Sequence, residues 1–145
     1  MDNPATVDNV VTLGFPERPT MPVWHDGHSQ LAVCGEESAR APVPVEIAAS
    51  YRARTRGLLG RDGIDGALLL TPASSVHTFG MRFPIDVAYL DRDLTVLAVR
   101  TMAPHRLGAP RPRARHVLEA AAGAMARWGL RRGARLRIGT EQGAE

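Results

Sequence analysis

Two neighbouring segments of alternating character constrain the fold of this 145-residue chain more than any other feature. The first segment, Ile85 to Asp91, reads IDVAYLD, and the second, Leu94 to Met102, reads LTVLAVRTM. A period of two indicates β-strands, because successive side chains of a strand point to opposite faces of a sheet. The polar turn Asp91-Arg92-Asp93 between them predicts an antiparallel hairpin. The chain must therefore build a sheet around this hairpin.

Other segments predict further strands and two short helices. Strands are expected at Val43–Ala48, Gly66–Pro72, Val117–Glu119 and late in the segment 129–139. Helices are expected from a Ser50 cap through Leu59, with Gly60 just past the end, and over Ala120–Trp128. Because the helices do not alternate regularly with the strands, we expect a mainly-β (α+β) fold, a compact barrel or sandwich of mixed strands with two short helices.

The length and composition predict one domain in the cytoplasm. Residues 21–140 are expected to form a single β-rich domain, with tails at 1–20 and 141–145. Cys34 is the single cysteine, which excludes an internal disulfide. The acidic N-terminus has no apolar signal core, and no apolar run reaches the roughly 18 residues of a membrane span.

All 18 basic residues are arginines, and they are unevenly distributed. From Arg100 onward there are ten arginines and three acids, whereas the preceding residues hold eight arginines and twelve acids. This asymmetry predicts either an anionic partner or pairing of the two halves on folding. The basic run Arg111–Arg115 has no interleaved aromatic residue, so nucleic acid is a less favoured partner.

The segment VHTFGMRFPID, Val76 to Asp86, mixes core-type residues with ionisable ones. Gly80 and Pro84 predict a kinked strand from His77 to Asp86. Asp86 shares its strand face with apolar residues, so it should be partly buried and should need a partner. The candidate partners are backbone N–H groups and the three arginines Arg56, Arg61 and Arg82. The Asp86 carboxylate either binds a ligand or stabilises the kink of the chain.

Motifs for familiar chemistry are absent from the sequence. There is no phosphate-binding glycine loop and no nucleophile elbow. The histidines lack metal-ligand spacing, so we expect no metal and no cofactor. His77 has the side-chain type for acid–base work near neutral pH. Together with the carboxylates Asp86 and Glu119, it defines an alternative hypothesis, a small hydrolase.

An ordered set of motifs resembles the family called domain of unknown function 192. The motifs are VEIAASYRARTRGLLGR (45–61), FGMRFPIDVAYLD (79–91), MAPHR (102–106) and VLEAAAGAMARWGLRRG (117–133). The matching positions are Arg56, Gly57, Leu58, Gly60, Arg61, Met81, Pro84, Asp86, Glu119 and Gly123. The resemblance implies a small, mainly-β barrel or sandwich with one or two helices, and it implies no established activity.

We therefore expect a non-catalytic binding or accessory domain for a small anionic ligand, a glycan or a protein partner. Its expected site residues are Arg56, Arg61, His77, Arg82, Asp86 and Glu119. The hydrolase remains one alternative, and a polyanion or nucleic-acid binder that uses the arginine-rich C-terminal half is the other.

Overall fold

Seven strands and two short helices make up the described part of the chain, residues 23–35 and 40–139 of a computed structural model. The predicted tails, 1–20 and 141–145, lie outside these residues. The strands are β1 (Gly27–Val33), β2 (Val43–Ala48), β3 (Ala67–Leu70), β4 (Ile85–Leu90), β5 (Val96–Met102), β6 (His116–Ala121) and β7 (Leu136–Gly139). The helices are α1 (Tyr51–Arg56) and α2 (Ala124–Trp128). Neither of these helices, nor any other in the described ranges, is long and apolar enough to cross a bilayer.

The strands form one curled sheet in the order β5-β4-β6-β3-β2-β1-β7. All neighbours are antiparallel except β2 and β3, which are parallel. The two outer strands meet at one end, where Thr95 bridges to Arg135. There the N–H of Leu136 donates to the carbonyl of Leu94 at 2.9 Å. The result is a half-barrel, which confirms the predicted mainly-β fold of mixed strands with two short helices.

Both faces of the sheet centre are buried, which explains why β3, β4 and β6 are apolar on both sides. One cluster, inside the curl, contains Leu69, Leu90 and Leu118 together with Met125 of α2. The other cluster lies on the outer face beneath α1 and the connecting loops, and it includes Tyr89. On β4 the alternation predicted from the sequence is confirmed, because Ile85, Val87 and Tyr89 lie in the outer cluster, whereas Ala88 and Leu90 lie in the inner one.

The hairpin that anchors the sequence prediction is confirmed, and Asp91 builds its turn. The Asp91 carboxylate accepts hydrogen bonds from the backbone N–H of Asp93 at 2.8 Å and of Thr95 at 3.0 Å. A short polar side chain that bonds to the backbone two residues ahead is a common way to stabilise a turn. β4 and β5 then pair in antiparallel register, with Asp86 opposite Thr101.

The kinked strand predicted for His77 to Asp86 is wrong, because regular pairing begins only at Ile85. The preceding residues form an irregular loop in which Gly80 has φ +79°. Thr78 holds the loop in place: it is fully buried, and its hydroxyl donates to the Ala103 carbonyl at 2.7 Å. The same oxygen accepts from the N–H of Arg106 at 2.9 Å. Side-chain hydrogen bonds thus replace the strand ladder here.

Helix α1 begins where the sequence predicts and ends earlier. Ser50 caps it by accepting a hydrogen bond from the N–H of Ala53 at 3.1 Å. The chain leaves the helix at Gly57, whose φ of +47° is costly for any other residue. The prediction of a helix through Leu59 is therefore wrong for its last three residues.

Candidate functional site

Glu119 on β6 is a buried carboxyl group without a hydrogen-bond donor among the described residues. It lies opposite Leu68 on β3 and Val87 on β4, so its side chain projects from the outer face between two apolar neighbours. The residue is 4% exposed. This burial raises the pKa of the Glu119 carboxyl from 4.5 to about 7, because the charged form loses its hydration.

A cavity of about 260 Å³ contains Glu119 in its lining. Helix α1 and the turn after it form one wall, and the loop between β3 and β4 forms the other. We call this cavity the Glu119 pocket. Its polar and charged lining residues are Tyr51, Arg54, Thr55, Arg56, Ser74, Ser75, His77 and Glu119, and its apolar ones include Leu58, Leu70, Val76 and Met81.

One face of the α1 segment supplies most of the first wall. Tyr51, Arg54, Thr55 and Leu58 are spaced i, i+3, i+4 and i+7, which places them on the same side of a helix. Arg54 donates to the carbonyl of Pro72, another lining residue, at 3.3 Å. Its Nε atom is buried and has no acceptor within the described ranges. The pocket therefore holds one buried side-chain atom without a partner, Arg54 Nε, beside the carboxyl group of a buried residue, Glu119, that accepts no hydrogen bond from the described residues.

The position of α1 is fixed by Asp26 at the start of β1. The Asp26 carboxylate accepts from the N–H groups of Ala49 at 2.6 Å and Ser50 at 2.8 Å, and from the Ser50 hydroxyl at 2.7 Å. The hydrogen bond from the Ser50 backbone is the main reason that the pKa of Asp26 is lowered. These contacts attach the start of α1 to the start of β1.

His77 lies at the rim of the pocket on the opposite wall. Its ring stacks on Phe79 with 5.2 Å between the ring centroids, and its Nδ1 accepts from the Phe79 N–H at 3.3 Å. A backbone bridge to Leu107 holds this part of the loop. Both His77 and Phe79 are exposed, so the rim presents an aromatic pair to solvent.

Three of the six predicted site residues come together in the Glu119 pocket: Arg56, His77 and Glu119. Arg61 instead pairs with both carboxylate oxygens of Glu46, at 3.1 Å each. Arg82 pairs with Asp62 at 3.0 Å on an exposed surface. These two arginines do not line the pocket.

Asp86 caps the second helix and lies away from the pocket. Its carboxylate accepts from the N–H groups of Gly123 at 2.9 Å and Met125 at 3.1 Å, and from the Thr101 hydroxyl at 2.7 Å. The three predicted arginine partners are therefore wrong, and the backbone N–H groups named beside them are correct. Two such donors and a hydroxyl satisfy a buried carboxylate, which is 4% exposed here, without a cation.

The geometry does not support an acid pair for hydrolysis. Asp86 lies opposite Ala120 on β6, whereas Glu119 lies opposite Val87 on β4. Since neighbouring positions of a strand point to opposite faces, the two carboxylates project from opposite sides of the sheet. A glycosidase pair must flank one bond from a shared cavity. Within residues 23–35 and 40–139, no group of three or more His, Cys, Asp or Glu side chains could hold a metal ion.

Sequence reasoning missed Arg54, Ser74 and Ser75 as pocket residues. For Arg54 a signal exists, since its helical spacing with Tyr51 and Leu58 places all three on one face. The serine pair precedes His77 in a loop, and nothing in its local pattern shows that the loop folds over β6. Only the tertiary structure brings these residues to Glu119.

The fold and the pocket define a small half-barrel domain with one polar cavity between its first helix and the sheet. The chain belongs to the family of domain of unknown function 192, described as "Uncharacterized ACR", whose sequence profile matches residues 33–138. The resemblance inferred from the ordered motifs is thus confirmed.

Two archaeal relatives are identical to this chain at about a third of the aligned positions. The UPF0127 protein PH1112 of Pyrococcus horikoshii is 34% identical over 80 residues, which is 52% of this chain and 70% of the relative. The UPF0127 protein PYRAB11210 of Pyrococcus abyssi is 32% identical over 84 residues, covering 54% and 72%.

Solved structures show the same fold at low sequence identity. A protein of Sinorhizobium meliloti described as a "putative transcription regulator" has a TM-score of 0.65 at 22% identity, with 81% of this chain and 98% of that chain covered. A protein of unknown function from Novosphingobium aromaticivorans has a TM-score of 0.63 at 18% identity, with 84% and 94% covered. The family and these neighbours provide no evidence of a catalytic activity.

Proposed function

We propose that this chain is a non-catalytic binding domain whose Glu119 pocket holds a small organic anion. The observation that carries the proposal is the Glu119 carboxyl group, buried in the lining of a 260 Å³ cavity with no donor among the described residues. Most buried polar groups in proteins have a hydrogen-bond partner, so one without a partner beside an open cavity is a natural ligand contact. A ligand that fills the cavity would supply that partner.

The charges around the pocket favour an anion. Arg54, Arg56 and His77 line it alongside the single acid Glu119. Arg54 also has a buried, unused Nε donor, and a guanidinium binds a carboxylate through two parallel hydrogen bonds. An anionic ligand would satisfy this donor and would offset the repulsion between the neighbouring arginines.

The protonation state of Glu119 sets the expected pH dependence. With its pKa near 7, the carboxyl is partly protonated at neutral pH and can donate a hydrogen bond to an oxygen of the ligand. A negative ligand favours this protonated form. Its affinity should therefore fall as pH rises through about 7, by up to tenfold per pH unit. Arg54 and Arg56, which line the same pocket, are permanently charged and do not contribute to this pH dependence.

The size of the cavity favours a metabolite over a polymer. Pockets for drug-sized ligands measure roughly 300–1,000 Å³, and this one is smaller. A stable protein partner needs a contact of about 800 Å² on each side. A glycan or a protein partner would therefore place only one terminal group in the pocket.

The single cysteine fits a reducing compartment, and the cytoplasm is the location that we propose.

Isothermal titration with small acids tests the proposal. Pyruvate, malate and succinate serve as carboxylate probes, and glucuronate with glucose serves as a matched pair of acidic and neutral sugar probes. At least one carboxylate should bind, and Arg54→Gln should weaken it by about tenfold or more. Glu119→Gln, whose amide is a permanently neutral donor, should keep the affinity and remove its dependence on pH. Arg52→Gln is the matched control, because Arg52 is exposed on the same helix and does not line the pocket.

Three results would contradict the proposal. The first is that none of the acids binds. The second is that Arg52→Gln and Arg54→Gln weaken the binding of the acid equally. The third is tighter binding of glucose than of glucuronate, since the arginines would then play no part. The same titrations repeated with His77→Gln, a change at the rim of the pocket, should give the same pH dependence, because Glu119 is the group that sets it.

A further inference from the structure

Four arginines line a second cavity, of about 350 Å³, beside the outer strand β5. We call it the arginine pocket. The arginines come from three separate parts of the chain: β5, the loop between β5 and β6, and the segment that follows α2. Its lining residues are Leu97, Ala98, Val99, Arg100, Arg111, Leu130, Arg131 and Arg132, with no carboxylate among them.

Two of these guanidinium groups are held in place by the protein. Arg111 lies over the ring of Tyr89, 5.0 Å from its centroid, in a cation–π contact. Tyr89 is 2% exposed, so the platform beneath Arg111 is rigidly packed. Arg100 donates to the carbonyl of Val99 at 2.9 Å. Anchored arginines lose less freedom when they bind a ligand than freely moving ones do.

The positive charge of the arginine pocket has no counter-charge in the described part of the chain. Arg61–Glu46 and Arg82–Asp62 are ion pairs within the described residues. None of the four arginines of the arginine pocket pairs with a carboxylate of these residues. The Nε atom of Arg111 is also buried without an acceptor. Of the two explanations for the uneven charge, an anionic partner or pairing between the two halves of the chain, pairing does not apply to these four arginines.

We propose that the arginine pocket binds the phosphoryl group of a small molecule. Guanidinium groups present paired donors that match the oxygens of a phosphoryl group, and several of them can share one dianion. The four lining residues that are not arginines are all apolar and none is aromatic, so the pocket lacks a surface on which bases of a nucleic acid would stack. A compact phosphorylated ligand fits the volume and the charge.

Titration of the 145-residue chain with pyrophosphate and with inorganic phosphate tests this inference at low ionic strength. Arg111→Gln should weaken pyrophosphate binding by at least about tenfold, and the double variant Arg131→Gln/Arg132→Gln should do the same. Arg113→Gln is the matched control, since Arg113 lies in the same loop and does not line the pocket. Because Arg131 and Arg132 are exposed, the double variant keeps the test valid if Arg111→Gln does not fold.

The inference is overturned by absence of pyrophosphate and phosphate binding, or by equal losses in Arg113→Gln and Arg111→Gln. It is also overturned if a mixed-sequence oligonucleotide binds while pyrophosphate does not, since the arginines would then form a polyanion surface. Glu119→Gln should leave pyrophosphate binding unchanged. A failure of the proposed phosphoryl site can therefore be distinguished from a failure of the proposed anion site in the Glu119 pocket.

Discussion

Replacing Glu119 with glutamine should change the pH dependence of stability in a defined direction. Burial raises the pKa of this carboxyl from 4.5 to about 7 in the folded chain. Between these values the folded state holds a proton that the unfolded state has lost, so the wild-type chain loses stability as pH rises. The pKa difference, at 1.36 kcal/mol per pH unit, corresponds to about 3 kcal/mol. Glutamine has nearly the same shape as glutamic acid and no titrating proton. The Glu119→Gln variant should therefore not lose this stability as pH rises.

Urea unfolding at several pH values measures the effect. Trp24 and Trp128 pack against the inner core cluster, so their fluorescence reports on unfolding. The stability of Glu119→Gln relative to wild type should be lowest near pH 4.5 and should rise by about 3 kcal/mol as the pH passes 7. The other carboxylates are common to both chains and cancel in the difference.

His77→Gln is the control, because His77 lies at the rim of the same pocket. This variant should follow the wild-type slope between pH 4.5 and about 6, where the carboxyl accounts for most of the change. Parallel stability curves for Glu119→Gln and the wild-type chain across the whole range would refute the reasoning. They would mean that the carboxyl titrates alike in the folded and unfolded states.

Three further predictions concern stability and use the same urea assay. Asp86→Ala leaves two helix N–H groups and a hydroxyl without their acceptor, and it should cost about 2–4 kcal/mol; a loss below about 1 kcal/mol would show that the carboxylate does not hold the helix. Gly66→Ala should cost about 2 kcal/mol or more, since φ is +76° and the new methyl group would clash with the Pro44 carbonyl; unchanged stability would contradict this. Arg61→Gln should cost less than about 1 kcal/mol, because its ion pair with Glu46 is about a third exposed; a loss as large as that of Asp86→Ala would be inconsistent with a surface role.

Local pattern predicted the framework of the fold well. The hairpin of β4 and β5 was predictable because its turn is made by Asp91 itself, within four residues of sequence. The start of α1 was predictable for the same reason, since Ser50 caps the helix through a contact three residues away. Both features depend on neighbours in the sequence, which is the range that pattern analysis covers.

The sequence wrongly predicts a strand from His77 to Pro84, because the conformation of this loop depends on distant residues. Thr78 bonds to Ala103 and Arg106, more than 20 positions away, and these contacts replace the ladder of a strand. Met81 is buried and Phe83 packs against the outer core cluster, so the loop resembles a strand in composition alone. Local sequence does not contain this information.

The candidate site was predicted in part, for a physical reason. Arg56, His77 and Glu119 stood out as ionisable residues in apolar surroundings, and they do meet in one pocket. Asp86 stood out in the same way, yet its partners are backbone N–H groups at the start of α2. Sequence shows that a buried carboxylate needs a donor, and only the fold shows which one it finds.

Carbon-13 NMR titration of the Glu119 carboxyl, assigned by its loss in Glu119→Gln, tests the central claim most directly. In the free chain its pKa should lie near 7. When the carboxylate probe that binds best saturates the pocket, the pKa should rise further, because a bound anion favours the protonated form. A carboxyl that titrates near 4.5, or one whose pKa is unchanged by a saturating anion, would contradict the assignment of the Glu119 pocket as an anion site.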